Sequence, residues 1–390
     1  MAMDTEKAMA RLAKHDAVRQ WDYNPFMHVV RFSTPGLNFL FGNTHGLPVG
    51  YPMIMFGPEK AGKTLFCYDL IAQLHRDDPD AIAIRYDTEM KDDAQLTPAR
   101  ARLYGIDTKR YRCYMTKNYD KVFNHIEKEV QGLLQDGANI KLIIIDSLTN
   151  ILGKRAEAAD GMTDKNQIGD ASLTHQEGLH RIQEMMHKYR VGFVITTQAR
   201  AEMDAIEQMR GNTYKMAGGF FLKHLGGYVM QIEPNRGKTG RESLTGEVFE
   251  DESLKDGLGK AERTGHKIRA RMRGNSYGPV NRSVEVTLSY NEGFINKHEE
   301  VFTLGVERGI VSRPTQQKYV LNGYPTEDKN TSWNGKDNFL RALKEDEAIQ
   351  KAIMERLRGQ DIDVMENLHK SKFYVGAEHG EGDSGAEASE

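Results

Sequence analysis

Eight consecutive residues, Gly57-Pro58-Glu59-Lys60-Ala61-Gly62-Lys63-Thr64, constrain this chain more than any other feature. They follow the short apolar stretch at 51–56 and precede residues 64–74, whose pattern is helical. A strand, a glycine-bearing loop and a helix in that order gather backbone N–H groups around an anion and aim the positive helix end at it. Residues 57–64 therefore read as a phosphate cradle for ATP. Lys63 is placed to reach the β- and γ-phosphates, and the Thr64 hydroxyl to ligate Mg2+.

The rest of the chain supplies the sheet such a loop needs. Apolar runs at 81–86, 141–146 and 191–196 alternate with helical patterns at 119–134 and 175–189. Continuous β-branched runs separated by helices predict an α/β core with a mostly parallel sheet flanked by helices. Two long polar segments interrupt the alternation, 154–172 and 199–218, and each follows a core strand. Both start on the carboxyl side of the sheet, where ligands of open α/β sheets bind. Four parts are expected. Residues 1–31 form an N-terminal helix and oligomerisation segment, and 32–297 the core. Residues 298–375 form a small C-terminal domain with a charged helix around 337–358, and 376–390 a disordered acidic tail.

An ATPase also needs a carboxylate near the metal and a group to activate water. Asp146 closes the run at 141–146 and suits the metal site together with Thr64. Glu89 follows the strand at 81–86 and is a candidate general base. Gln198 follows the run at 191–196, where its amide can sense the γ-phosphate.

These motifs, taken in order, resemble the RecA family of recombinases, including its phage UvsX-like members, over roughly residues 25–370. The lead-in Ser33-Thr34-Pro35-Gly36-Leu37-Asn38 and Gly46-Leu47-Pro48-Val49-Gly50, the cradle at 57–64, Tyr86-Asp87-Thr88-Glu89, Ile145-Asp146-Ser147-Leu148 and Thr197-Gln198 carry the resemblance. It implies a RecA-like P-loop ATPase core with Glu89 as catalytic glutamate. The two interrupting segments become loops that hold single-stranded DNA. Lys154, Arg155, Lys165, Gly169, Arg200, Arg210, Lys215, Gly218 and Gly219 are the candidate contacts, with Met216 or Leu173 as a wedge between bases. Arg271-Met272-Arg273 is similar to the family's paired basic residues, which reach a neighbouring subunit's γ-phosphate. Lys60-Ala61 departs from the small hydroxyl residues common at that place. Arg100 stands where the family often stacks a tyrosine on adenine; a planar guanidinium can stack as well.

Charge bears on the partner. The net charge is −3, but the last fifteen residues hold Glu378, Glu381, Asp383, Glu387 and Glu390 and no Lys or Arg; without those five charges the value becomes +2. Between 260 and 282 stand Lys260, Arg263, Lys267, Arg269, Arg271, Arg273 and Arg282 against Glu262 alone. In strand form, Lys267, Arg269, Arg271 and Arg273 share one face and Ile268, Ala270 and Met272 the other. The acidic tail reads either as a solubility device or as a competitor for basic surface. Two cysteines, Cys67 and Cys113, make a disulfide framework improbable. With no signal-peptide core and no run of about 18 apolar residues, no membrane role is expected. A cytoplasmic setting follows, that of a bacterial host if the chain is phage-encoded. The aromatic segment around Phe26 docks on a neighbouring subunit or packs back on its own domain.

The resemblance thus implies a DNA-dependent ATPase with ATP and Mg2+ as cofactors. It would form homo-oligomeric filaments on single-stranded DNA and exchange strands with a homologous duplex, aided by mediator and single-strand-binding proteins. A ring helicase of the same fold and a nucleotide-binding regulatory paralogue without turnover are the alternatives.

Overall fold

The computed structural model describes residues 28–91, 96–152, 170–209, 213–218, 220–234, 248–255, 261–276 and 278–370. The N-terminal segment up to residue 27, Lys154, Arg155, Lys165, Gly169, Arg210, Gly219 and the acidic tail lie outside them. The chain divides into two compact units, Met1–Ile295 and Asn296–Glu390.

The first unit is built on one large sheet. Its strands are β1 (Pro52–Gly57), β2 (Ile82–Asp87), β3 (Tyr111–Met115), β4 (Ile140–Asp146), β5 (Gly192–Ala201), β6 (Tyr214–Met216), β7 (Tyr228–Pro234), β8 (Val248–Lys255), β9 (Ala261–Asn275), β10 (Ser283–Ser289) and β11 (Gly293–Ile295). Their order in space is β11-β10-β9-β7-β1-β5-β4-β2-β3, with β8 beside β9 and β6 beside β5. From β7 to β3 every neighbouring pair is parallel. From β7 outward through β9, β10 and β11 the pairing is antiparallel. The α/β core with its mostly parallel sheet is thus present.

Period-two alternation makes each apolar strand a wall between two cores. In β1, Met53 and Met55 face one cluster, which includes Phe66, Leu70 and Ile71 of helix α1 (Lys63–Asp77). Ile54 and Phe56 face the other, with Leu179, Ile182 and Met186 of helix α3 (Asp170–Tyr189). In β4, Leu142 and Ile144 divide from Ile143 and Ile145 in the same way. Helix α2 (Leu96–Leu103) joins β2 to β3. The helix expected at 119–134 is continuous, but its middle turn, His125–Val130, is wound as a π-helix between Tyr119–Asn124 and Gln131–Gln135.

Two expectations from the sequence need correction. The segment 199–218 is not an irregular loop from its start: β5 runs on to Ala201 and β6 returns beside it, pairing Ala199 with Met216, Arg200 with Lys215 and Ala201 with Tyr214. A short helix, Ala205–Met209, lies between them. The single helix expected around 337–358 is two, α5 (Lys336–Glu345) and α6 (Glu347–Lys370). Asp346 breaks them because its backbone is extended, and its carboxylate accepts from Ala348 N–H at 2.9 Å, as a helix-starting cap does.

The second unit packs helix α4 (Lys297–Glu307), α5 and α6 with a three-stranded antiparallel sheet, β12 (Val311–Thr315), β13 (Lys318–Leu321) and β14 (Thr331–Asn334). Phe339 is fully buried at its centre, with Trp333 stacked 4.3 Å away. No described helix is long and apolar enough to cross a membrane.

Candidate nucleotide site and the surfaces beside it

β1 lies between β5 and β7, and its carboxyl end opens into the cradle. The cradle leaves β1 at Gly57, where no side chain fits: a Cβ there would stand 2.2 Å from the Ile232 carbonyl oxygen of β7. Lys60 and Gly62 then take left-handed φ values of 60° and 93°, which turns the chain into α1. Gly62 caps α1 with no side-chain hydrogen bond. The helix N-terminus thus keeps its N–H groups for a ligand.

Lys63 is buried, and its Nζ donates to the carbonyl oxygens of Gly57 at 2.9 Å and Pro58 at 2.8 Å. Burial pulls its ammonium below the ordinary lysine range, and the negative charges of Glu89 and Asp146 oppose that pull. The Thr64 hydroxyl donates to Asp146 Oδ2 at 2.9 Å, and the Thr196 hydroxyl to Oδ1 at 2.6 Å. Burial raises the Asp146 carboxyl, but the Arg85 charge and the hydrogen bonds from Thr196, Arg85 and Thr64 outweigh it and hold the group below the usual carboxylate value. Asp146 is therefore an anion at neutral pH, as a metal site requires.

Glu89 stands on the turn that follows β2. Asp87 shapes this turn by accepting from the N–H groups of Glu89 and Lys91, each at 3.0 Å. The Glu89 carboxylate, 14% exposed, pairs with the Lys91 ammonium. Gln198 lies in register with Gly57 on the neighbouring strand, which brings it level with the cradle. Its carbonyl accepts from Ala217 N–H at 2.9 Å, which ties the end of the return strand to β5 there.

A cavity of about 310 Å³ joins the cradle to Glu89. Glu59, Lys60, Gly62, Lys63, Thr64 and Glu89 are part of its lining. Arg100, His266 and Tyr290 line it as well. The sequence reading missed the last two. His266 Nδ1 lies 3.1 Å from the Tyr290 hydroxyl, with ring centroids 5.6 Å apart, and the Tyr290 ring is 37% exposed. Arg100 and the Tyr290 ring are the exposed flat groups among these, either able to stack on a nucleobase, whereas His266 is only 3% exposed. The three come from α2, β9 and the turn after β10, and only the fold brings them together. Tyr290 before the Asn291-Glu292-Gly293 turn was the one available signal. The uncapped helix, the side-chain-free approach at Gly57 and the Thr64–Asp146 pair together fit a nucleoside triphosphate with a divalent metal. Lys63 and the loop N–H groups would hold phosphate, Thr64 would ligate the metal, and Asp146 would orient Thr64.

Arg271 and Arg273 do not join this cavity. Ile268, Ala270 and Met272 of β9 are fully buried, and the arginines project from the opposite face of the strand. Arg273 Nη1 donates to Gln231 Oε1 at 3.1 Å. Burial and the neighbouring Arg271 lower its affinity for a proton, while Glu207 and Glu233 act the other way. Arg273 lines a second cavity, of about 470 Å³, with Glu202, Asp204, Glu207, Tyr214 and Lys215.

The strands β5 and β6 place Arg200 and Lys215 opposite one another, both exposed. Met216 is packed into the core at 8% exposure, so it offers no wedge to a base in this conformation; Leu173 stands 63% exposed on α3. The sequence reading passed over the apolar residues that do project beside β5: Met203 is 86% exposed, Ile206 62% and Met209 89%. Their spacing of three was legible, but the short helix that carries Ile206 and Met209 was not. Gly218, at φ 108°, has a conformational task, because a Cβ there would meet Leu222 Cδ1 at 2.4 Å.

A central parallel sheet, a P-loop on its middle strand and an acid on the strand two places away define a P-loop nucleotide-binding protein. The family model for the RecA N-terminal domain matches residues 21–295. The chain is 27% identical to Protein RecA of Psychrobacter arcticus over 391 residues, covering 97% of this chain and 98% of that one. It is 24% identical to Protein RecA of Thermotoga neapolitana over 315 residues, covering 80% and 78%. Against Protein RecA of Staphylococcus aureus the identity is 26% over 337 residues, with 84% of each covered. The chain belongs to the RecA family.

Proposed function

We propose that this protein is a DNA-dependent ATPase of homologous recombination, which assembles as a helical filament on single-stranded DNA and exchanges strands with a homologous duplex. One observation supports this reading above the rest. Lys63, Thr64, Glu89 and Asp146 converge in one chain, while Arg271 and Arg273 point away from that chain's own cavity. Such a site is completed by a neighbour.

Each residue then has a task. The cradle and Lys63 bind and orient the phosphates, and Glu89 accepts the proton of the attacking water. Bound Mg2+ supplies charge neutralisation at the phosphate oxygens. Arg271 and Arg273 of one subunit would stabilise the charge that develops on the next subunit's γ-phosphate. Gln198 lies on β5 level with the cradle, one residue before the pairing with β6 begins, so its amide can pass the state of the phosphate to the DNA-binding side. There Arg200 and Lys215 would meet phosphates, and Met203, Ile206, Met209 or Leu173 would meet bases. ATP thus holds the filament together and hydrolysis releases it.

ATP hydrolysis measured with and without single-stranded DNA, alongside electron micrographs of the same samples, tests the proposal. DNA stimulation and helical filaments are expected. Closed hexamers that unwind duplex would favour a ring helicase, and nucleotide binding without turnover a regulatory paralogue.

A further inference from the structure

Arg85 brings a buried guanidinium to the nucleotide site from outside the motifs that define it. It stands in β2 between Ile84 and Tyr86, and its side chain is 1% exposed. Alternation turns it to the face that carries α1, and three elements hold it there. Nη1 donates to Asp146 Oδ2 of β4 at 2.9 Å, Nε donates to the Tyr111 hydroxyl of β3 at 3.0 Å, and Cζ lies 5.2 Å from the Tyr68 ring centroid of α1. Burying a charge pair is costly compared with an apolar filling of the same volume, so a site that keeps one calls for a reason.

The reason lies in how Asp146 is occupied. Oδ2 accepts from both Thr64 Oγ1 and Arg85 Nη1, each at 2.9 Å, and Oδ1 accepts from Thr196 Oγ1 at 2.6 Å. Three protein donors leave the carboxylate little capacity for a fourth partner. Its charge is already balanced at contact distance. Two further carboxylates of the cavity are engaged as well, Asp87 by two backbone N–H groups and Glu89 by Lys91. A divalent cation entering without phosphates would therefore find Asp146, Asp87 and Glu89 each already engaged by a protein donor or cation.

We propose that Arg85 is a positioning residue that fixes Asp146 as an outer partner of the metal, reached through Thr64. As the built-in counter-cation of Asp146, it makes Mg2+ binding conditional on the phosphates of the nucleotide. The inference rests on the reading of this cavity as an ATP–Mg2+ site.

The test uses the full chain as wild type, Arg85→Gln and Arg85→Lys. Thermal unfolding is followed in chelator and with Mg2+ or Mn2+ alone, and a fluorescent ATP analogue is bound across a Mg2+ titration. Metal alone should leave the wild-type Tm unchanged. Arg85→Gln should melt lower in chelator and be partly restored by metal alone, and its half-saturating Mg2+ for the analogue should fall roughly tenfold, the scale of one unit charge removed beside a divalent ion. Arg85→Lys, which keeps the charge, should follow the wild type, and Asp146→Asn added to Arg85→Gln should remove the metal response. A merely structural Arg85 would lower Tm equally with and without metal and leave the Mg2+ midpoint in place, which overturns the proposal. Should Arg85→Gln fail to fold, a Tm rise of the wild type with Mg2+ alone still overturns it, and its absence together with a wild-type-like Arg85→Lys supports it. A wild type that binds no analogue at any Mg2+ concentration defeats the ATP-site reading itself. One that binds while Arg85→Gln keeps its midpoint defeats this inference alone.

Discussion

Gly57 shows how one residue can serve both the fold and the ligand. The backbone oxygen of Ile232 sits where its Cβ would be, at 2.2 Å, so an added methyl must push β7 away from β1. Gly57→Ala should therefore cost about 2–4 kcal/mol of stability, the range of core overpacking and backbone clashes, and weaken nucleotide binding with it. Urea unfolding with an unchanged m-value would show it. Lys63 gives a prediction in pH. Its folded-state pKa is lowered from 10.5, chiefly by burial, so the ammonium loses its proton earlier than an exposed lysine. A phosphate ligand prefers the charged form, so affinity for an ATP analogue should fall as pH rises through that lowered value, below the ordinary lysine range. Lys63→Ala should bind weakly and show no such fall. Equal pH dependence in the two proteins would mean that Lys63 does not contact phosphate. The cradle, Asp146 and Glu89 were legible in the sequence because each sits at the end of a strand that announces itself by its apolar run. Arg85, His266 and Tyr290 were not, since a single polar residue in or after a strand gains meaning only from what the sheet places beside it.

At the scale of elements, strands of β-branched and apolar residues were legible as strands, and their parallel pairing followed from the helices between them. What escaped was how far they run. β5 continues four residues past Thr197, through polar and charged positions, because β6 pairs with it there. That pairing is a tertiary event, invisible to local pattern. The break at Asp346 escaped for the opposite reason, since the helical pattern continues across it and only the extended backbone and its cap mark it. The β5–β6 pair makes a prediction of its own. Arg200 and Lys215 are like charges facing each other across two strands, an arrangement relieved by an anion. Replacing both by Ala should weaken single-stranded DNA binding and reduce the slope of log affinity against log salt by about 1.4, the release expected for two phosphate contacts on single strands. Replacing Met203, Ile206 and Met209 by Ala should weaken binding while leaving that slope unchanged, because stacking is not screened by salt. Fluorescence anisotropy across a salt series separates the two. Identical slopes for both triple and double variants would remove Arg200 and Lys215 from the DNA surface.

For the whole molecule, the decisive point is that the proposed site is divided. Glu89 lines the cavity that holds the cradle, whereas Arg273 lines another, set against Gln231, Glu207 and Glu233. A chain organised this way should hydrolyse ATP slowly alone and faster when assembled, because a cation supplied across an interface stabilises the transition state by a factor of about 10³ or more. Arg271→Ala should accordingly bind the ATP analogue as the wild type does and lose turnover, whereas Glu89→Ala loses turnover through its own site. Mixing the two variants distinguishes catalysis across an interface from catalysis within a chain. In a head-to-tail assembly that draws subunits at random, half of the sites belong to Arg271→Ala chains, which keep Glu89. Half of those face a Glu89→Ala neighbour that keeps Arg271, so about a quarter of all sites are intact. Hydrolysis with single-stranded DNA present should therefore recover to about a quarter of the wild-type rate, and diluting below the assembly concentration should abolish it. If Arg271 served its own chain's nucleotide, no mixture could restore an intact site, and the rate would stay at the level of the separate variants at every ratio.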